Sequence, residues 1–381
     1  MKVICNRGAL LDGILIASTV VSSRAAKLAL HCLKLSAHNN ALVISATDTE
    51  VTLRYLDNQV SVEQEGDLLV PAERLRELVR ESTDDTLSIE QSGDSAIIKG
   101  ADATYKIFTQ NPADFPNVPD LQGTAHFSLP AGQLRTLINR TLFAASKEAT
   151  RYAFNGILMT ARNKKLQMVA TDGRRLAHAQ TDLTTVKEDT KATRETKGGK
   201  DGDELLRAIA PVKTLTLLDK LLTDPEDTVK VQLRGNQLIF QTARATLSST
   251  TIEGQFPPYE EVIPKDSDKV MTAGTADFLS AVRRAAVFID EQSRSVKLSF
   301  SRKGLIISCR SPETGEAEIR FACKYDGDDL DIGFNPHFLM DALRVVDTDE
   351  ITFEFRGPNR PGLLRGGPDF LYVVMPVNLS N

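Results

Sequence analysis

The chain lacks most of the features that announce a catalyst or a membrane protein. Its four cysteines, Cys5, Cys32, Cys309 and Cys323, form no Cys-x-x-Cys pair. That argues against a zinc ribbon or a redox motif and fits a reducing compartment. No run reaches about 18 apolar residues, so no helical membrane span is expected. Lys2 and Arg7 ahead of "GILIASTVV" imitate a signal peptide, but Asp12 interrupts the imitation and similar apolar patterns recur at 134–145 and 278–288. A cytoplasmic protein is therefore expected. Positive charge is not in excess either: 46 Lys and Arg face 51 Asp and Glu, for a net −5. Affinity for nucleic acid would have to come from where the cations sit.

Motifs that carry chemistry are also missing. "TKGGKDGD" has Gly-Gly-Lys, but Asp201 follows where a phosphate loop needs Ser or Thr for its metal. "DGDDLDIG" resembles a calcium loop, yet Leu330 and His337 hold the fifth and twelfth positions, where oxygen ligands are required. His31, Cys32 and His38 cluster without a second ligand pair. No Gly-x-Ser-x-Gly elbow and no His-Glu-x-x-His occurs. No cofactor and no metal is called for, and no catalytic residue is assigned.

What is present is a repeat. Three segments place proline ahead of an amphipathic helical pattern: "VPAERLRELVRES" with Pro71, "APVKTLTLLDKLL" with Pro211, and "NPHFLMDALRVV" with Pro336. Proline suits a first helical turn, where its missing N–H costs nothing. The intervals are 140 and 125 residues, and the difference matches a polar insertion at 187–202, "KEDTKATRETKGGKDG", read as a flexible loop. Alternating strand patterns follow each proline helix, and a further helix with its own strands precedes it. The unit is helix, strands, helix, strands, three times over. Two helices on antiparallel strands make an α+β module. At 381 residues and 41% hydrophobic content each module can bury a core. Polar, proline-bearing stretches at 117–124 and 257–269 suggest modules at 1–121, 122–256 and 257–381.

"VATDGRRLAHA" at 169–179 reads first as an active-site loop, but Ala-Thr-Asp returns in "ISATDTEVTL" at 44–53 without the glycine or the arginines. Asp48 and Asp172 could be paired carboxylates of a metal-dependent nuclease. Their equivalent places in different repeats favour a shared turn, with the carboxylate accepting backbone N–H bonds and Gly173 permitting positive φ.

"VATDGRRLA", "ADFPNV", "QFPPYEEVIP" and "YVVMPVNL", carried on three equal modules, resemble the bacterial β sliding clamp family, the processivity subunits of replicative DNA polymerases. The resemblance covers the whole chain. It implies a non-catalytic homodimeric ring of six modules around duplex DNA, helices lining the hole and sheets outside. The implied partners are the polymerase, the clamp loader and other replication and repair proteins carrying clamp-binding peptides. Size agrees: a 125-residue module has a radius of gyration of roughly 14 Å and a diameter of roughly 36 Å, so six modules leave a hole as wide as one and three leave roughly 5 Å. A duplex about 20 Å across then needs two chains.

By resemblance a hydrophobic cleft between modules two and three takes the partner peptides. Its wall would be Phe154, Thr171, Gly173, Arg174, Arg175 and Leu176, with Pro257 and Val262, and Val373, Val374, Met375, Pro376 and Val377. Glu261 stands where family members often have a basic residue, and Asn378 likewise lacks a charge. Arg24, Arg151 and Lys213 match positions that touch DNA, while Glu73 replaces a common basic residue beside Arg74. Ring closure would bring Tyr105 and Ile107 of one subunit against Val287 and Phe288 of the other, removing an exposed sheet edge. The helix patterns 8–20, 72–82, 131–146, 212–222, 276–288 and 337–346 together carry +3 and the remainder −8. An acidic exterior with a mildly positive lining repels DNA outside and tolerates it inside. A DNA-acting hydrolase and a clamp-like peptide-binding scaffold remain as alternatives.

Overall fold

A computed structural model describes residues 1–22, 25–118, 121, 123–146, 153–186, 204–289 and 295–379. The inserted loop at 187–202, Arg24 and Arg151 lie outside the described residues. Among the described residues are six α-helices: α1 (Arg7–Ser18), α2 (Ala72–Glu81), α3 (Ala131–Leu142), α4 (Val212–Leu221), α5 (Thr275–Ala285) and α6 (Pro336–Leu343). Every helical pattern read from the sequence corresponds to one of them.

Local chemistry explains several boundaries. The Asn6 side chain caps α1 by accepting from the Ala9 N–H at 3.0 Å, and Asn335 caps α6 by accepting from His337 N–H at 2.9 Å. Only Pro336 occupies a first helical turn. Pro71 and Pro211 instead end the strands Gly66–Pro71 and Glu204–Pro211 immediately before α2 and α4. Both strands stand at the ends of their sheets, where a missing N–H costs no ladder bond. The N-terminal stretch that imitates a signal peptide is likewise ordinary fold: Lys2–Asn6 is a strand paired on both sides, and α1 buries Leu10, Gly13, Ile14 and Ala17. A Cβ at Gly13 would lie 2.8 Å from both Ile44 and Tyr55, so glycine lets this helix sit directly on its sheet.

The chain separates into two compact units. One comprises Met1–Arg135 and Lys213–Thr251 with the short strand Thr185–Val186; the other comprises Thr136–Asp182, the strand Glu204–Pro211 and the chain from Ile252 onward. The first unit holds a five-stranded sheet and a nine-stranded sheet. The nine-stranded sheet is continuous because Val51–Asp57, of the first repeat, pairs with Ala245–Thr250, of the second, in the register Tyr55↔Ala245 and Val51↔Ser249. The second unit repeats the device in its own nine-stranded sheet, where Arg175–Asp182 pairs with Phe370–Val374, placing Arg175 opposite Val374 and Leu176 opposite Val373. Its four-stranded sheet ends in the edge strand Gly315–Phe321. Thus the middle repeat is shared: part of its strands extends the sheet of repeat one and part extends that of repeat three. All pairings are antiparallel, and α1 packs with α2 and α5 with α6 over these sheets.

Candidate functional site

Thr171, Asp172 and Gly173 form the turn between Lys165–Thr171 and Arg175–Asp182. Asp172 Oδ1 accepts from the N–H groups of Arg174 and Arg175 at 2.9 and 3.0 Å. The Thr171 hydroxyl donates to the Arg175 carbonyl at 2.7 Å and accepts from Gly173 N–H at 3.1 Å. Gly173 has φ +84°, and a Cβ there would lie 3.8 Å from the ring of Phe154. In the other unit Asp48 accepts from Glu50 and Val51 N–H in the same way, and Lys213 on α4 also donates to it. Each aspartate is therefore used in closing its own turn, as expected of a structural repeat, and the two belong to different units.

Side-chain alternation divides the proposed wall between two faces of the sheet. On one face Leu176 and Val373 join a buried apolar cluster with Leu158, Val169, Ile209, Phe256, Tyr259 and Leu363. Phe256 and Tyr259 meet edge to face at 6.2 Å. Val262 and Met375 remain 51% and 43% exposed. Met375 N–H donates to the Arg174 carbonyl at 2.9 Å, so the chain that follows Phe370–Val374 continues along the loop. Pro257 and Pro376 are half-buried beside these residues in sequence. Val377 N–H donates to the Gly333 carbonyl at 2.8 Å, fixing the far end of that segment.

Arg175 and Val374 belong to the opposite face. Val374 is fully buried. The Arg175 guanidinium is bonded to Asp172, Asp341 and the Phe143 carbonyl rather than turned to the apolar surface. Arg174, by contrast, is exposed.

Sequence reasoning missed Phe256, Tyr259 and His178. The stretch at 257–269 reads as a polar module boundary, but Tyr259 within it and Phe256 just before it join the buried apolar cluster. The His178 ring lies 6.2 Å from Tyr259. Burial lowers the His178 pKa and pushes the Tyr259 hydroxyl up to about 12, assisted by the neighbouring Glu260 carboxylate. Period-two reading through Val169, Thr171, Leu176 and His178 was the available signal for the histidine.

The helical cations are more committed than a count suggests. Arg140 on α3 is 8% exposed, paired with Asp347 and set over the Phe370 ring. Arg135 pairs with Asp219, and Lys213 with Asp48. Tyr105 and Phe108 are 42% and 73% exposed on the sheet-end strand Thr104–Phe108. They border a groove of about 610 Å³ with Pro71, Arg74 and Leu78 of the same unit. In the other unit Val287 is 72% exposed and Phe288 rests against Gly315.

Repeated two-helix modules on antiparallel sheet, with sheets running on from one repeat to the next, define the class of DNA clamps. Family models of the N-terminal, central and C-terminal domains of the DNA polymerase III beta subunit match residues 1–119, 128–258 and 260–378. The chain belongs to this family, the beta sliding clamps. It is 30% identical over 377 residues to the Beta sliding clamp of Pseudomonas aeruginosa, covering 98% of this chain and 99% of that one. The crystal structure of the P. aeruginosa subunit covers both chains fully at a TM-score of 0.89 and 30% identity, and that of the Bacillus subtilis clamp does so at 0.90 and 25%. The family is one of non-catalytic processivity factors acting with DNA and DNA polymerase, and the chain is a sliding clamp.

Proposed function

We propose that two copies of this chain close head to tail into a six-module ring around duplex DNA. The modules are 1–121, 122–256 and 257–381. The observation that supports it is the three-module chain itself, because three modules enclose far too small a hole. Tyr105 and Ile107 would meet Val287 and Phe288 of the partner subunit, covering apolar side chains that are exposed or half-exposed in one chain. The cleft of Leu176, Val373, Val262 and Met375 would take apolar-anchored peptides of the polymerase, the clamp loader and other replication and repair proteins. A related clamp, that of P. aeruginosa, has been crystallised bound to griselimycin. The four free cysteines suit a cytoplasmic protein. Among the described residues no helix is long and apolar enough to cross a membrane.

With Arg135, Arg140 and Lys213 already paired, direct affinity for duplex is weak, in the nonspecific range of roughly 10⁻⁴–10⁻⁶ M, and steeply salt-dependent. Arg24, Arg151 and Lys213 guide the duplex, and retention is topological. After a loader has closed the ring on nicked circular DNA, protein stays through a salt wash and leaves when a restriction enzyme linearises the circle. Equal retention on linear DNA with open ends would refute the ring and favour a scaffold or enzyme that grips DNA.

A further inference from the structure

The cleft rests on a second, hidden set of contacts. Arg175 neighbours Leu176, but alternation sends its side chain through the sheet to the helical face. There Nη1 donates to Asp341 Oδ2 of α6 at 2.8 Å, Nη2 to the carbonyl of Phe143 just beyond α3 at 2.7 Å, and Nε to Asp172 Oδ2 at 3.0 Å. The guanidinium carbon lies 4.4 Å from the Phe338 ring centre and 5.5 Å from that of Phe143. The side chain is 12% exposed. Tyr372, on the strand that carries Val373, donates its hydroxyl to the Phe338 carbonyl at 3.0 Å, closing the group. All three nitrogens donate within this group, to acceptors drawn from two repeats: Asp172 and Phe143 from the second, Asp341 from the third.

We propose that Arg175 is a positioning residue for peptide binding: a bolt behind the cleft that sets the spacing of its two walls without touching the ligand. The inference rests on the cleft reading above. One wall hangs on Arg175–Asp182 and the other on Phe370–Val374 with the Phe256–Val262 segment. Main-chain pairing joins the strands but leaves the sheet free to twist. Arg175 removes that freedom by tying the Asp172 turn to α6 and to the end of α3. A planar guanidinium with a fixed fork of donors can serve three acceptors at once, which an ammonium on a flexible stem cannot. Without it, Asp172 and Asp341 lose a shared counter-charge in a sparsely solvated place.

The test is fluorescence titration of the intact clamp with a labelled clamp-binding peptide of the polymerase, well below the melting temperature of every variant. Arg175→Ala and Asp341→Ala are each expected to weaken the peptide at least 10-fold, and the double variant no more than Arg175→Ala alone. Leu176→Ala, on the ligand face, combines additively with Asp341→Ala. Arg175→Lys, which keeps the charge, recovers melting temperature more fully than affinity. If Arg175→Ala weakens binding while Asp341→Ala and Asp341→Asn leave it unchanged, Arg175 touches the peptide and the bolt is refuted. Lower melting temperatures with unchanged affinity would reduce Arg175 to a stabilising residue and also refute it. If Leu176→Ala has no effect, the cleft itself is misplaced and the inference falls with it.

Discussion

Thr49 and Gly173 occupy the same position in two copies of one turn, at φ +81° and +84°. The surrounding bonds also match: the hydroxyls of Thr47 and Thr171 donate to the carbonyls of Val51 and Arg175, and accept from the N–H groups of Thr49 and Gly173. A β-branched residue in left-handed backbone is strained, and Thr49 is exposed. Thr49→Gly should therefore stabilise the chain, by about 1 kcal/mol after the entropic cost of glycine. Urea unfolding would measure this. Equal or lower stability would mean that the turn is not strained.

The cleft can be separated from ring closure. Leu176 lies in the buried cluster and Met375 is exposed. Replacing both with alanine should weaken a polymerase-derived peptide by about 2 kcal/mol or more through lost contact. The particle mass should not change. Calorimetry showing wild-type affinity would mean that peptides dock elsewhere.

The proposed ring closure can be tested at Phe288. Phe288 packs against Gly315, where an added Cβ would come within 3.2 Å of its ring, beside the exposed Val287. Light scattering of the pure protein should give twice 41.8 kDa, the mass of one chain. Phe288→Asp should move it toward a single chain by placing an unpaired charge in the contact. A monomeric or trimeric wild type at micromolar concentration would sink the six-module ring.

Asp57 gives the first unit a pH signature. It is 2% exposed, its Oδ1 accepts from Gln59 N–H at 2.8 Å, and its Oδ2 has no partner among the described residues. Burial raises its pKa, against the pull of the Gln59 N–H and Arg244, with Asp12 adding to the rise. The folded chain thus holds this proton more tightly than the unfolded one. Its contribution to stability is complete below the unfolded value and is lost as pH rises through the folded value. Asp57→Asn keeps the acceptor for Gln59 and should raise stability at pH 7 by about 1 kcal/mol, with the gain vanishing toward pH 3. Thermal melts across that range decide it, and a gain that grows as pH falls would contradict the sign.

Much of the fold was legible because it rests on local signals. Helical periodicity marked all six helices, and the threefold recurrence of proline, helix and strands needed no knowledge of contacts. Leu176 and Val373 were singled out through the resemblance of their motifs, and the structure buries both in one apolar cluster. Other features were hidden: Gly66–Pro71 and Glu204–Pro211 are strands that end in proline, and the eye takes the proline for the start of a helix. Phe256 and Tyr259 sit among prolines and glutamates that read as linker.

By itself the sequence determined which stretches are helix, how many modules there are, and that the Asp48 and Asp172 turns are one device used twice. Only the tertiary structure decided that the middle repeat gives strands to both neighbours' sheets, that Arg140 is buried against Asp347, and that Arg175 is bonded to Asp341 and to the Phe143 carbonyl. The physical reason is range. Periodicity and capping act over a few residues, whereas pairing Val51 with Ser249, or Arg175 with Asp341, depends on which distant segments the closed sheets bring together.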